Sequence, residues 1–162
     1  MALIVAPAEP ATSLCSVAAA DAYHLARKNA SWAALASDDK EANLIKATDY
    51  LGQMYGQRWK GGRVTSTQAL DWPRYGVMVN NFVVDYATVP VAVANACAEL
   101  ALRAASAPLT IDVGRLKSRT KVGPIEVEYA TGSSAQTKYD AVDGLLSAYL
   151  GSGSMNVRVV RA

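Results

Sequence analysis

The chain has 162 residues, enough for one domain with a full hydrophobic core. It is 51% hydrophobic and 19% charged, with a net charge of +2, so it can fold without staples and carries no general basic coat for nucleic acid. Two cysteines, Cys15 and Cys97, and one histidine, His24, exclude a closed four-ligand zinc site built from Cys and His alone. No stretch approaches the ~18 apolar residues of a membrane helix.

Residues 1–15 read as an extended arm. Their "MALIVAPAEPATS" lacks a basic start and meets Pro7 and Pro10 early, which argues against a signal peptide. Ser16 then suits a helix N-cap. In the helix it opens, Ala19, Ala22, Tyr23 and Ala26 fall on one face, and Arg27 and Lys28 complement the dipole at its end. Trp32 and Leu35 mark a short turn or helix. Ser37 suits a second N-cap, with Asp38, Asp39 and Glu41 in the first turn of a helix running to about Tyr55. Its apolar stripe is Leu44, Thr48, Leu51 and Tyr55, widened by Ile45.

"GQRWKGGRVTST" reads as loop, and "QALDWPR" at Gln68–Arg74 as a short turn. "GVMVNNFVVDYATVP" is an extended excursion broken by Asn80-Asn81. Val89-Pro90 opens a third long helix, since proline is tolerated in the first turn. Its stripe is Val93, Ala96, Cys97, Leu100, Ala101 and Ala104, and Pro108 ends it. At about 115–130 the period changes to two. Arg115, Lys117, Arg119 and Lys121 alternate with uncharged residues. Beyond Gly123-Pro124, Ile125, Val127 and Tyr129 alternate with Glu126 and Glu128. That pattern predicts a β-hairpin. Asp140 caps a final helix, "AVDGLLSAYL". "GSGS" at 151–154 is a flexible joint, and the last eight residues form an extended tail. The fold class is therefore mainly α: a small helical bundle at 16–150 with a protruding β-hairpin and extended N- and C-terminal arms.

Few residues carry candidate chemistry. Asp21 and His24 share a helix face and could join a serine in a hydrolase set. No G-x-S-x-G elbow accompanies them, and a surface or interface histidine is the plainer reading. Asp38, Asp39 and Glu41 are better explained by the helix N-terminus than by a cation. No P-loop, G-x-G-x-x-G or H-E-x-x-H motif occurs, so no enzyme, cofactor or metal site is expected. "RWKGGR" at Arg58–Arg63 could hold single-stranded nucleic acid by stacking and charge, or be a solvated loop with Trp59 folded on the preceding helix. In "QALDWPR", Pro73 biases Trp72 towards an extended conformation. Trp72 would then be buried with its indole N–H on an acceptor, and Arg74 would reach a carboxylate such as Asp49 or Asp71. The stretch is read as a brace for the Gly-Gly loop. The four-cation row of the hairpin could line a DNA channel. Alternatively, a turn centred on Gly123-Pro124 would set Lys121 opposite Glu126 and Arg119 opposite Glu128, neutralising half of it.

Taken together, "SVAAADAYHLARKNASWAAL", "KEANLIKATDYLGQMYGQRWKGGR", "QALDWPR", "VPVAVANACAELALRA", "KSRTKVGPIEVEYA" and "YDAVDGLLSAYL" resemble a family of tailed-bacteriophage proteins labelled DnaT-like single-stranded-DNA-binding proteins. The resemblance covers about residues 14–150, with W-K-G, Q-A-L-x-W-P-R and K-V-G-P-I as its most specific parts. Members look like head–tail connector adaptors. What this implies is a non-enzymatic structural protein in the virion neck, made in the host cytoplasm. It would form a homo-oligomeric ring, commonly of about twelve copies, under the portal protein. The stopper or tail-completion protein would bind below, and double-stranded DNA would pass through without sequence-specific contact. Arg115, Lys117, Arg119 and Lys121 would then face the channel or a neighbouring subunit. Val157, Arg158, Val159, Val160 and Arg161 would dock on the portal. The alternative takes the label literally: a single-stranded-DNA-binding replication accessory using Arg58, Lys60 and Arg63.

Overall fold

A computed structural model describes residues 3–110, 119–122, 125–128 and 137–151. Its helices are α1 (Val17–Ala26), α2 (Ala30–Ala33), α3 (Ser37–Tyr55), α4 (Val91–Ala104) and α5 (Asp140–Leu146), which runs into a short 3-10 turn at Ser147–Tyr149. Among the described residues the strands form three two-stranded antiparallel ribbons. These pair β1 (Gly62–Arg63) with β2 (Arg74–Tyr75), β3 (Met78–Val79) with β4 (Phe82–Val83), and β5 (Arg119–Val122) with β6 (Ile125–Glu128). The protein is mainly α, a helical bundle with small hairpins, as the sequence predicts. No helix among the described residues is long and apolar enough to cross a membrane.

The core forms where α3 and α4 pack together, with α1 and α5 against α4. Leu44, Thr48, Leu51 and Tyr55 of α3 are buried, and Ala47 and Tyr50 widen the stripe on the side away from Ile45. Val93, Ala96, Cys97, Leu100 and Ala101 of α4 meet them. Alanine lets the two helix axes approach closely. Ser16 caps α1 by accepting from the Ala19 N–H at 3.1 Å. α3 has no side-chain cap, because its N-cap position falls on Ala36 rather than Ser37.

Three expectations are corrected. The N-terminal segment is not an extended arm. Val5 bridges Ser13, the Ala6 N–H donates to the Ser13 carbonyl at 2.9 Å, and Ala6, Ala11, Leu14 and Cys15 are buried. The Leu14 N–H donates to Thr48 Oγ1 at 3.1 Å, which ties this turn to α3. Burying four apolar residues outweighs the solvation of a free arm. The second correction concerns the phase of α1. Ala20, Tyr23 and His24 face the core, whereas Ala19, Ala22 and Ala26 are exposed. In an alanine-rich helix the apolar pattern sets no phase; here the large side chains do. The third is the excursion at 76–90, which contains the β3–β4 hairpin. Asn80 and Asn81 both adopt positive φ, 51° and 67°, the conformation of a two-residue hairpin turn that asparagine tolerates.

Candidate functional site

The side-chain cluster around Trp72 is structural. Trp72 is 1% exposed and Trp59 6%. Their rings meet edge to face at 5.6 Å; Tyr149 meets Trp72 at 5.8 Å, and Tyr55 lies 6.0 Å from Trp59. The expected acceptor for the indole N–H of Trp72 is missing among the described residues, and the same holds for Trp59. Both are enclosed by aromatic rings instead. Arg74 is buried and donates to three carbonyls: Lys60 from Nε at 2.8 Å, Gly61 from Nη2 at 2.8 Å and Asp71 from Nη1 at 3.2 Å. It was expected to reach a carboxylate. The side chain of Asp71 instead pairs with Arg63 at 3.2 Å, and the several N–H donors of the Arg74 guanidinium are shared among the clustered carbonyls. Gln68 completes the brace, donating to the carbonyls of Leu70 at 2.7 Å and Pro73 at 3.1 Å and accepting from the Thr65 N–H at 3.2 Å.

The Gly-Gly pair follows from this packing. Gly61 has φ +68°, and a Cβ there would collide with the Tyr75 carbonyl oxygen and lie 2.8 Å from Val77 Cγ2. A Cβ on Gly62 would press on the Tyr75 ring at 2.8 Å. The "RWK" segment also holds the C-terminal part of the described chain. Trp59 bridges Leu150, the Lys60 N–H donates to the Tyr149 carbonyl at 3.0 Å, and the Gly151 N–H donates to the Arg58 carbonyl at 2.7 Å. Trp59 therefore folds onto α3, and neither tryptophan offers a free face to a base. The cations are engaged too: Lys60 Nζ donates to the Ala148 carbonyl at 2.8 Å, and the Arg58 guanidinium lies 5.5 Å from the Tyr55 ring centre. A cleft of about 670 Å³ lies beside this loop, lined by Gly52 of α3 and by Gly56 just past its end. Its walls carry Asp49 and Asp71, and Arg63 is committed to Asp71, so it gives phosphates little attraction.

The Asp21–His24 pair is not brought together. Asp21 Oδ1 accepts from the Trp32 indole at 2.7 Å and from Lys40 Nζ at 2.9 Å. The Lys40 hydrogen bond holds its carboxyl below the usual value, with Trp32 adding to the effect. His24 is buried between the Ala98 carbonyl, 3.0 Å from Nε2, and the Asn29 amide, 3.0 Å from Nδ1. With Nε2 protonated and Nδ1 accepting, both nitrogens are satisfied by a neutral ring, and burial pushes its pKa down. It is a core histidine, locking α1 to α4. Cys15 and Cys97 are buried free thiols, pushed up by burial to about 12 and about 11. Cys97 Sγ lies 3.4 Å from Thr48 Oγ1.

The β5–β6 register sets Arg119 opposite Glu128 and Lys121 opposite Glu126, with Val122 opposite Ile125 across Gly123-Pro124. The even turn is thus the one formed, and half of the cation row has an acid opposite it. Arg115 and Lys117 lie outside the described residues, as do Val157, Arg158, Val159, Val160 and Arg161.

The sequence reading missed the β3–β4 hairpin as a surface. Phe82 is 78% exposed and Val83 74%, with Tyr75, Met78 and Tyr86 also exposed. Residues 76–90 contain no Lys or Arg, and Asp85 is their one charge. The available signal was a pair of short apolar runs, Val77–Val79 and Phe82–Val84, flanking Asn-Asn at the length of a two-residue hairpin turn.

One family model matches the chain over residues 1–162; its description reads "Putative DnaT-like ssDNA binding protein". That match extends through both ends, beyond residues 14–150. No curated protein and no solved structure matches the chain.

Proposed function

This chain belongs to the family of DnaT-like ssDNA-binding proteins, and we propose that its role is that of a head–tail adaptor in a tailed bacteriophage. It is a non-enzymatic virion protein that forms a ring under the portal, joins capsid to tail and surrounds the DNA channel. The observation that carries this reading is the apolar hairpin at 75–86. It exposes Tyr75, Met78, Phe82, Val83 and Tyr86 and carries no cation. Such a surface suits protein and repels nothing but water. A single-strand binder interleaves aromatic faces with cations, whereas here both "RWK" and "DWPR" bury their tryptophans.

The pinned segment at Leu150–Gly151 also supports this reading. It gives residues 152–162 a fixed root, from which Val157–Arg161 dock on the portal. Arg119 and Lys121 face acids across their hairpin, so phosphate contact in the channel falls mainly to Arg115 and Lys117. Deleting 151–162 should leave a folded protein that no longer co-sediments with portal; unchanged co-sedimentation would remove the docking assignment.

The family's description favours a second reading, binding of single-stranded DNA. It predicts salt-sensitive binding of a labelled oligonucleotide, measured by fluorescence anisotropy and lost on changing Arg58, Lys60 and Arg63 to Ala. An absence of binding at low salt would eliminate it.

A further inference from the structure

We propose that the β3–β4 hairpin of one copy inserts into the groove between α1 and α2 of the next, a head-to-tail contact between identical chains. This rests on the ring reading above and assigns the ring its interface. The donor surface is a finger. Met78 pairs with Val83, and Val79 with Phe82, across the Asn80-Asn81 turn. Phe82 and Val83 come from opposite faces of this ribbon, yet both are about three-quarters exposed. A ribbon apolar on both faces fits into a groove rather than onto a flat surface.

The receiving surface lies on other elements. A groove of about 750 Å³ runs between α1 and α2, lined by Ala22, Leu25, Ala33 and Trp32. Leu25 is 79% exposed, and Ala18 and Ala22 precede it on the same helix, both exposed. The alanine face of α1 is thus left without a partner among the described residues. α1 packs on α3 and α4 and carries α2, whereas β3 packs against the 3-10 turn. The two surfaces therefore belong to different parts of the fold. A contact that uses unlike surfaces of identical chains propagates, and closes into a ring when its rotation permits.

Charge selects the occupant. Asp85 is the one charge on the finger's segment, and it takes part in no ion pair among the described residues. Lys28 lines the groove, exposed and likewise without an ion pair there. Lys40, the other cation of the groove, is held by Asp21. A second copy thus brings an apolar finger and an acid to an apolar groove and an unpaired cation.

The test is complementation, read by sedimentation velocity on the protein alone. The wild type should self-associate. Phe82→Asp with Val83→Asp should abolish this by disabling the finger, and Leu25→Asp by disabling the groove, each weakening association by about 100-fold or more. All the altered side chains are exposed, so circular dichroism and the thermal midpoint should stay near wild type. Mixing the two variants restores one intact finger with one intact groove and should yield a 1:1 dimer that grows no further. Persistent wild-type association in either variant, no heterodimer on mixing, or a wild type that stays monomeric at ~100 μM, where weak contacts still register, would each overturn the interface. Portal binding is read separately. A monomer that joins portal retains the adaptor role without this contact, and a self-associating chain that ignores portal retains the contact without the role.

Discussion

Arg74 is where a single side chain does the most for the loop between Arg58 and Tyr75. Its guanidinium satisfies three carbonyls that the loop would otherwise bury unpaired. Arg74→Met should therefore cost about 3 kcal/mol in urea unfolding, and Arg74→Lys should recover less than half, because an ammonium cannot span the fork. A loss under 1 kcal/mol would show that water replaces the arginine. His24 makes stability depend on pH. Burial lowers its pKa below the ordinary 6.5, so the unfolded chain takes up a proton that the native ring refuses. Stability should be full above pH 6.5 and should fall below it by up to about 1.4 kcal/mol per pH unit, until the folded pKa is reached. Asp21 is held below 3.8 by Lys40. Burial would raise the Glu99 carboxyl, but bonds from Arg103 and Tyr23 hold it below 4.5. These two carboxyls add a separate loss below about pH 4.5. His24→Gln should abolish the upper phase and leave the lower one, as followed by urea midpoints across pH. The buried thiols of Cys15 and Cys97 should react with a disulfide reagent at neutral pH only after unfolding.

At the scale of elements, the long helices were legible because their stripes carry large anchors at helical spacing, Leu44, Leu51 and Tyr55 in α3 and Val93 and Leu100 in α4. α3 begins and ends within a residue of expectation, and α4 begins beside Val89-Pro90 but stops at Ala104, short of Pro108; the β5–β6 register is the even one of the two that the sequence left open. α1 was legible as a helix but not in its phase. Alanine is apolar enough to mark a core face and small enough to tolerate exposure, so Tyr23 and His24 decide which face is buried. The N-terminal turn was illegible because its burial comes from long-range contact with Thr48 and α3. The brace was read correctly as a brace, while its partners, carbonyls instead of carboxylates, depend on loop geometry that no local pattern encodes. Gly61 tests that geometry: Gly61→Ala should cost about 3 kcal/mol in thermal or urea unfolding, since it combines a left-handed backbone with a collision at Tyr75. A neutral result would mean that the Gly-Gly loop repacks freely. At the hairpin tip, Asn81→Gly should be neutral or stabilising by up to about 1 kcal/mol, because glycine adopts the positive φ without strain.

The whole molecule presents a closed core and open surfaces. Its tryptophans, lone histidine and cysteines are all inside, while apolar side chains stay exposed at two places, the finger around Phe82 and the alanine face of α1. That distribution is the one an assembling subunit needs, and it was hidden from sequence because exposure of Phe82 and Leu25 depends on where other elements are not. The central claim is that this chain joins a portal as a ring. It is tested most directly by native mass spectrometry of the protein mixed with the portal protein of the same phage, alongside a single-stranded-DNA titration. We predict a complex holding about one copy per portal subunit, as ring closure requires, and no tight DNA binding. A portal that stays bare while the protein binds single-stranded DNA tightly would contradict the adaptor role and establish the replication role in its place.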